Sequence, residues 1–155
     1  MPLNIVLLEP EIPNNTGNIG RLSLASGSKL HLIKPFGFEL SDSRVKRSGL
    51  DYWKQVDLHI YESWEDFNAK NRKAQLVLMS SHGKKDFYSI EFTEDLFVVF
   101  GKESVGLPKE LIANHEDKCY KIPLFSEHVR SLNLANSVGI VIYEGIRQLK
   151  KQELL

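Results

Sequence analysis

Three polar loops, each following a short apolar run, hold the residues of this chain that could do chemistry. The first runs Pro10-Glu11-Ile12-Pro13-Asn14-Asn15-Thr16-Gly17-Asn18-Ile19-Gly20-Arg21. Its two prolines predict an extended lead-in, Asn14, Asn15 and Thr16 offer helix-capping side chains, and Arg21 falls in the first turns of the helix that follows. The second, Phe100 to Pro108, sets Lys102 and Glu103 between Gly101 and Gly106, and its glycines allow close backbone approach to a flat ligand or to another loop. The third, Ile122 to Asn136, carries Arg130, Ser131, Asn133 and Asn136. Asn133 and Asn136 are expected at the buried start of a helix, where their amides need partners in a ligand or a neighbouring loop. Amides, carboxylates and arginines in these loops suit the positioning of a polar substrate.

Other chemistries find less support in the residues. Cys119 is the sole cysteine and the five histidines are scattered, so neither a disulfide nor a metal site is expected. His128 lies near Ser126, but no acid stands at a recognisable spacing to orient it. There is no Gly-x-x-x-x-Gly-Lys-Ser/Thr loop, no Gly-x-Gly-x-x-Gly fingerprint and no Gly-x-Ser-x-Gly elbow, which removes the common nucleotide-hydrolysing, dinucleotide-binding and hydrolase readings.

The elements that must position these loops can be read from the hydrophobic pattern. Apolar runs at 3–8, 30–33, 58–61, 76–79, 96–100 and 119–122 predict buried strands. Between them lie expected helices at Gly17 to Ser26, at Ser41 to Arg47 begun by Ser41, at Ser63 to Lys70 begun by Ser63, and at Pro108 to Asn114. Strands alternating with helices imply an α/β fold: a mostly parallel sheet with helices on both faces, which binds ligands at the carboxyl ends of its strands. Leu132, Ala135, Val138, Ile142, Ile146 and Leu149 repeat at helical spacing for about five turns. The two-sided apolar character of that helix suggests either a core helix or one that also meets a second subunit, with Val138 and Ile142 as contacts.

Composition sets the outer limits. The 155 residues, 42% hydrophobic and 26% charged, fit one globular domain spanning 1–155. No apolar run reaches the roughly 20 residues of a membrane span, and the first residues lack a basic signal-peptide region, so a cytoplasmic protein is expected. Twenty basic residues balance twenty acidic ones, so binding of nucleic acid would depend on local patches. Candidates are Arg44, Lys46 and Arg47 with Lys54, then Lys84 and Lys85, Arg130, and Arg147 with Lys150 and Lys151.

Taken together and in order, the three loops resemble the SPOUT superfamily of RNA methyltransferases over essentially the whole chain. Asn15 to Arg21 is similar to its first motif, Phe100 to Leu107 with a Gly-x-Glu-x-x-Gly-Leu core to the second, and Ile122-Pro123 through Ser131-Leu132-Asn133 to the third. The opening from Asn4 to Asn18 and the segment Gly49-Leu50-Asp51-Tyr52-Trp53 look more narrowly like the YibK/TrmL group of tRNA (cytidine(34)/uridine(34)-2′-O)-methyltransferases.

The resemblance implies a C-terminal trefoil knot whose loops hold S-adenosylmethionine, released as S-adenosylhomocysteine, in a site completed across a homodimer. By the same resemblance, backbone groups around Met79, Gly101, Ile122 and Ser131 would cradle the cofactor, with no metal. Arg21 would stand at the target hydroxyl as general base, tuned by an RNA phosphate. Alternatively it would fix that phosphate and stabilise alkoxide charge while another group or water takes the proton. Asn15, Glu103 and Asn133 would support this centre, with Glu103 equally suited to holding a loop. The implied substrate is wobble position 34 of leucine tRNAs; the alternatives are another tRNA or rRNA ribose, or RNA binding without turnover. With no appended RNA-binding extension expected, the domain's own surface would grip the tRNA.

Overall fold

The computed structural model describes residues 3–48 and 50–153. Seven strands form one sheet: β1 (Asn4–Leu8), β2 (Lys29–Ile33), β3 (Leu58–Tyr61), β4 (Leu76–Met79), β5 (Lys85–Asp86), β6 (Phe97–Phe100) and β7 (Cys119–Lys121). Every pairing among them is parallel, in the order β3-β2-β1-β6-β4-β7-β5. All carboxyl ends therefore meet one sheet edge. β6 lies between β1 and β4, and β7 between β4 and β5, so two late strands occupy slots between earlier ones.

Strand alternation sorts the core onto two faces. Ile5, Leu7, Leu30, Leu32, Val98 and Phe100 pack with Ile19 of helix α1 (Pro13–Ser26) and with Val138, Val141, Ile142 and Leu149 of helix α5 (Leu134–Glu153). On the other face Val6, Leu8, Ile33, Leu78 and Val99 pack with Phe67 of α3 (Trp64–Lys70) and Leu111 of α4 (Lys109–Asn114). Among the described residues no helix is long and apolar enough to cross a membrane.

Several boundaries differ from the sequence reading for local reasons. Helix α1 begins at Pro13, not Gly17, because that proline sits at the first helical position, where its fixed φ suits the helix. Helix α2 (Ser43–Ser48) is capped by Asp42 rather than Ser41, since the Asp42 carboxylate accepts from the Arg44 amide at 2.8 Å. Ser63 caps α3 as expected, accepting from the Asp66 amide at 3.0 Å. Helix α5 starts at Leu134, two residues late, with Asn133 ahead of it accepting from the Asn136 amide at 3.2 Å. Strand β5 has two exposed residues and no apolar signature that could have revealed it. Val138 and Ile142, named as contacts in case this helix also met a second subunit, are fully buried within the chain, as the core-helix alternative requires.

One buried polar chain crosses the α3 face. His31, 3% exposed, meets Asn4 Oδ1 at 2.9 Å through Nε2 and the Tyr61 hydroxyl at 2.8 Å through Nδ1. The Asn4 amide nitrogen donates to the Asp95 carbonyl, so its oxygen faces His31, and the imidazole must carry its proton on Nε2. Burial, aided by neighbouring His59, pushes the imidazole down to about 3 from an ordinary 6.5. The unfolded chain therefore takes up a proton that the fold refuses. Stability is full above the ordinary value and falls as pH drops through the window between the two. The loss approaches about 1.4 kcal/mol per pH unit, so roughly 2 kcal/mol between about pH 6.5 and pH 5. Urea unfolding across that range should show this slope in the wild type, and His31→Gln, which cannot titrate, should flatten it. An unchanged slope in the variant would assign the effect elsewhere.

Candidate active site

The strand order reverses direction between β1 and β6, the place in an open α/β sheet where a crevice forms at the carboxyl edge. A cavity of about 500 Å³ opens there, lined by the ends of β4, β6 and β7 and by the approach to α5. Asn15, Met79, Gly101, Glu103, Ile122, Ser131 and Asn133 all border it. The volume is within the usual range for a small-molecule site.

Glu103 ties the first two loops together. Its Oε1 accepts from the Glu11 amide at 2.9 Å, and its Oε2 accepts from the Ile12 amide at 2.7 Å and from Asn15 Nδ2 at 3.3 Å. No side chain of the α1 sequence caps that helix; a carboxylate from 91 residues away satisfies its entry instead. Asn14, Asn15 and Thr16, expected as caps, lie inside the helix. Glu11 answers in kind, since its Oε1 accepts from the Ser104 amide at 2.9 Å and from the Ser104 hydroxyl at 2.7 Å. Chiefly that hydroxyl, and then the amide, hold the Glu11 carboxyl below the usual carboxylate range. Glu103 is thus a loop-holding acceptor, as one of its two expected roles required.

Asn15 extends the clamp to the third loop. Its Oδ1 accepts from Asn133 Nδ2 at 3.1 Å while its own amide nitrogen donates to Glu103. Asn133 and Asn136 are exposed in this chain, contrary to expectation, because Asn133 precedes α5 at the cavity rim and Asn136 lies on the exposed side of its first turn. Asn133 nevertheless has the partners its amide needs, a loop residue on one side and its own helix on the other.

The glycines of the second loop have a steric reason. A Cβ on Gly101 would lie 2.2 Å from the Gly106 carbonyl carbon and 2.3 Å from the Leu107 nitrogen. Gly106 turns the chain back with φ +70°, and its amide donates to the Lys102 carbonyl at 2.9 Å. The loop consequently folds onto itself at the cavity wall. A second clasp is made by Gly83, where a Cβ would stand 2.5 Å from the Tyr120 backbone.

Arg21 is not among the lining residues. It is exposed on α1, with its guanidinium carbon 5.9 Å from the centre of the Tyr52 ring. A 3-10 turn, Leu50–Gln55, carries Tyr52. That turn is seated by Trp53, which fills the space where a Cβ on Gly20 would come within 2.5 Å of its ring. Gly49, the first residue of the segment singled out in the sequence, lies outside the described residues.

The basic clusters separate on inspection. Arg44 is held by both oxygens of Asp42, Arg147 by Glu144, and Lys85 donates to the Asp117 carbonyl at 3.0 Å. Lys46, Arg47, Lys54 and Arg130 are exposed, with no ion pair to an acid among the described residues. His128 and Ser126 form only a local turn, amide to hydroxyl at 3.2 Å. Sequence reasoning missed Glu11, Ser104 and the Ser80–His82 wall of the cavity. An acid two residues before the α1 proline was the available signal for Glu11; Ser104 and the wall had none.

Comparison with known proteins shows the family. A protein of Saccharophagus degradans named tRNA (cytidine(34)-2′-O)-methyltransferase is 42% identical, over 94% of this chain and 95% of its own. A Geobacillus stearothermophilus protein with the same name, given provisionally, is 44% identical over 96% of each. A solved structure concerned with the 2-OH methylation of C/U34 on tRNA superposes with TM-score 0.92 at 45% identity, covering 96% of this chain and 97% of its own. The methyltransferase AviRb of Streptomyces viridochromogenes, solved with AdoMet, gives TM-score 0.83 at 25% identity over 96% of this chain and 58% of its own. With its residues 2–143 matching the SpoU rRNA Methylase family, this chain belongs to that family of SPOUT methyltransferases.

Proposed function

We propose that the protein is a cytoplasmic tRNA 2′-O-methyltransferase that uses S-adenosylmethionine at nucleotide 34, cytidine or a modified uridine, and that it works as a homodimer of one-domain subunits. The observation that carries this reading is the cavity at the β1/β6 switch point, walled by a self-folded glycine loop and clamped by Glu103, Asn15 and Asn133. Its character suits the cofactor. Apolar Met79, Phe100, Ile122 and Leu134 line it beside backbone groups and Lys102, a mixture fit for a flat base and a charged amino-acid end without phosphates. The slots taken by β6 and β7 and the Gly83 clasp support the knotted form of the fold.

Bound there, S-adenosylmethionine supplies a methyl group on a positively charged sulfur. Its methyl would pass to the ribose 2′ oxygen with the sulfur left as a neutral thioether, and the hydroxyl proton would go to a base or water. Asn15, Glu103 and Asn133 hold the loops so that this line of approach is fixed. Arg21 projects from another part of α1, off the cavity lining of its own chain, so a second copy is needed to bring an Arg21 to each cavity. There its planar fork would hold an RNA phosphate and stabilise charge developing on the hydroxyl oxygen. Exposed Ile140 and Tyr143 on α5, with Val105 on the cavity wall and Phe125 next in sequence to the lining residue Leu124, offer the apolar surface for that second copy.

Nucleoside mass spectrometry on tRNA from a strain lacking the gene tests the activity directly. One 2′-O-methylated nucleoside should vanish and return with the wild-type gene. With purified protein, S-adenosylhomocysteine at about 100 times its Kd should raise stability by roughly 2.7 kcal/mol, while NAD and ATP leave it unchanged. A nucleoside profile that does not change, or a stabilising shift with NAD, would overturn the reading.

A further inference from the structure

We propose that the groove between the β2–α2 segment and the end of β3 is a nucleobase subsite, holding an unpaired base of the substrate RNA that bears an exocyclic amine, as cytosine and adenine do. This rests on the reading of RNA as substrate. The groove, about 610 Å³, is lined by Phe36, Phe38, Ile60, Lys34, Glu39 and Glu62. It lies at the carboxyl edge of the sheet, the same edge as the cofactor cavity.

Its walls are fixed from below and from the side. Phe36 and Leu40 pack onto the hydrophobic core, and the Phe36 and Phe38 rings lie nearly parallel, 16° apart with centres 5.8 Å from each other. The turn between the two phenylalanines is fastened to the β1–α1 loop, because the Gly37 amide donates to the Pro10 carbonyl at 3.0 Å. A Cβ on Gly37 would stand 2.8 Å from the Glu11 carbonyl oxygen, so only glycine permits that approach. The Pro10–Glu11 backbone is also what Glu103 grips. Groove and cofactor cavity are therefore held by opposite sides of one loop.

Charge decides which part of a nucleotide enters. Lys34 is occupied by Glu62 at 3.2 Å, and Glu39 leaves the rim with a net negative charge, which repels phosphate. Helix α2 begins three residues beyond Leu40, and its exposed Lys46 and Arg47 supply the cations that phosphates need. A strand laid with its backbone along α2 turns a base toward the aromatic pair. Aromatic faces stack on any base, for about 1–3 kcal/mol each. Carboxylates at the rim then select, since they accept from the exocyclic amine of cytosine or adenine and repel the carbonyl oxygen that uracil carries in its place.

The test uses the full chain and labelled RNA hairpins that share one stem and carry loops of only cytidine, only adenosine or only uridine, read by fluorescence anisotropy. Wild type should bind the cytidine and adenosine loops several-fold more tightly than the uridine loop. Phe38→Ala should weaken all three by about tenfold, as loss of one stacked base requires, and Phe38→Leu, which keeps apolar bulk without a ring face, should weaken them nearly as much. Glu39→Gln should narrow the cytidine-over-uridine ratio while the salt dependence stays as it was. Melting temperature and S-adenosylhomocysteine affinity should be unchanged in every variant. Equal binding of the three loops by wild type, or wild-type affinities in both well-folded Phe38 variants, overturns the subsite. If methyl transfer to tRNA is intact and the base preference is missing, the subsite alone fails. If the preference is present and no RNA is methylated, the enzymatic reading fails instead.

Discussion

Arg21→Ala should lose methyl transfer by about 10²–10³-fold or more, the range seen when one preorganised donor is removed from a developing negative charge. Cofactor affinity and folding should hardly move, because Arg21 is exposed and lines no part of the cofactor cavity in its own chain. Single-turnover rates at saturating tRNA, beside calorimetric titration with S-adenosylhomocysteine, separate the two effects. Arg21→Lys refines the answer, since lysine keeps the charge and loses the fork. If Arg21 must hold a phosphate and the hydroxyl together, lysine should be nearly as poor as alanine; if charge suffices, part of the rate returns. A mixed dimer of Arg21→Ala chains with chains crippled in the cofactor cavity is more telling. It should recover activity, since one of its two composite sites would pair an intact Arg21 with an intact cavity. Full turnover in the Arg21→Ala homodimer would reduce the residue to a surface cation beside Tyr52.

Much of the frame was legible in the sequence because it is written in local patterns. The apolar runs that became β1, β2, β3, β4 and β6 are short, rich in Leu, Ile and Val, and cut off by polar loops, and the repeat from Leu132 to Leu149 could only be a helix. Seven of the eight residues singled out by resemblance to family motifs converge on one cavity, since each motif follows a strand and all strands point the same way. What escaped was whatever depends on a distant partner. The entry to α1 is capped from 91 residues away, so no reading of Asn14, Asn15 and Thr16 could place the helix start correctly. Glu11 and Ser104 look unremarkable alone and matter because β6 lies beside β1. Lys85 reads as one of a basic pair until Asp117 and the Tyr120 ring are found against it. The same limit governs the helix α5 stripe. Its periodicity is right, but whether Val138 faces a neighbour or the core depends on where the sheet lies, and the sheet takes that face.

Gly101→Ala should weaken cofactor binding strongly while leaving most of the fold in place. Two other tight glycines face side chains that can repack: Gly20 abuts the Trp53 ring and Gly145 the Phe92 ring and a Leu3 methyl. Gly101 instead faces backbone, with the Gly106 carbonyl carbon and the Leu107 nitrogen at 2.2 and 2.3 Å from the position of the added atom. Backbone cannot rotate out of the way, so the loop from Lys102 to Gly106 must open. Opening strains the loop that carries Glu103 and Ser104, the two residues that grip the β1–α1 turn, and moves the wall of the cavity with them. Overpacking of this kind costs about 1–3 kcal/mol, and if all of it is charged to the closed, binding-competent loop the affinity falls by about 5–150-fold. The loop lies at the sheet edge, outside both hydrophobic clusters except for Leu107, so unfolding stability without cofactor should fall by less than the binding energy does. Titration calorimetry with S-adenosylhomocysteine and urea denaturation of the same preparation give the two numbers. Gly106→Ala is the companion variant: its added Cβ meets nothing within 4 Å, but φ +70° disfavours any side chain. Its penalty should be strain of about 1 kcal/mol without a clash, so it should bind more weakly than wild type and more tightly than Gly101→Ala. Wild-type affinity in Gly101→Ala would mean that the loop does not form the cofactor wall.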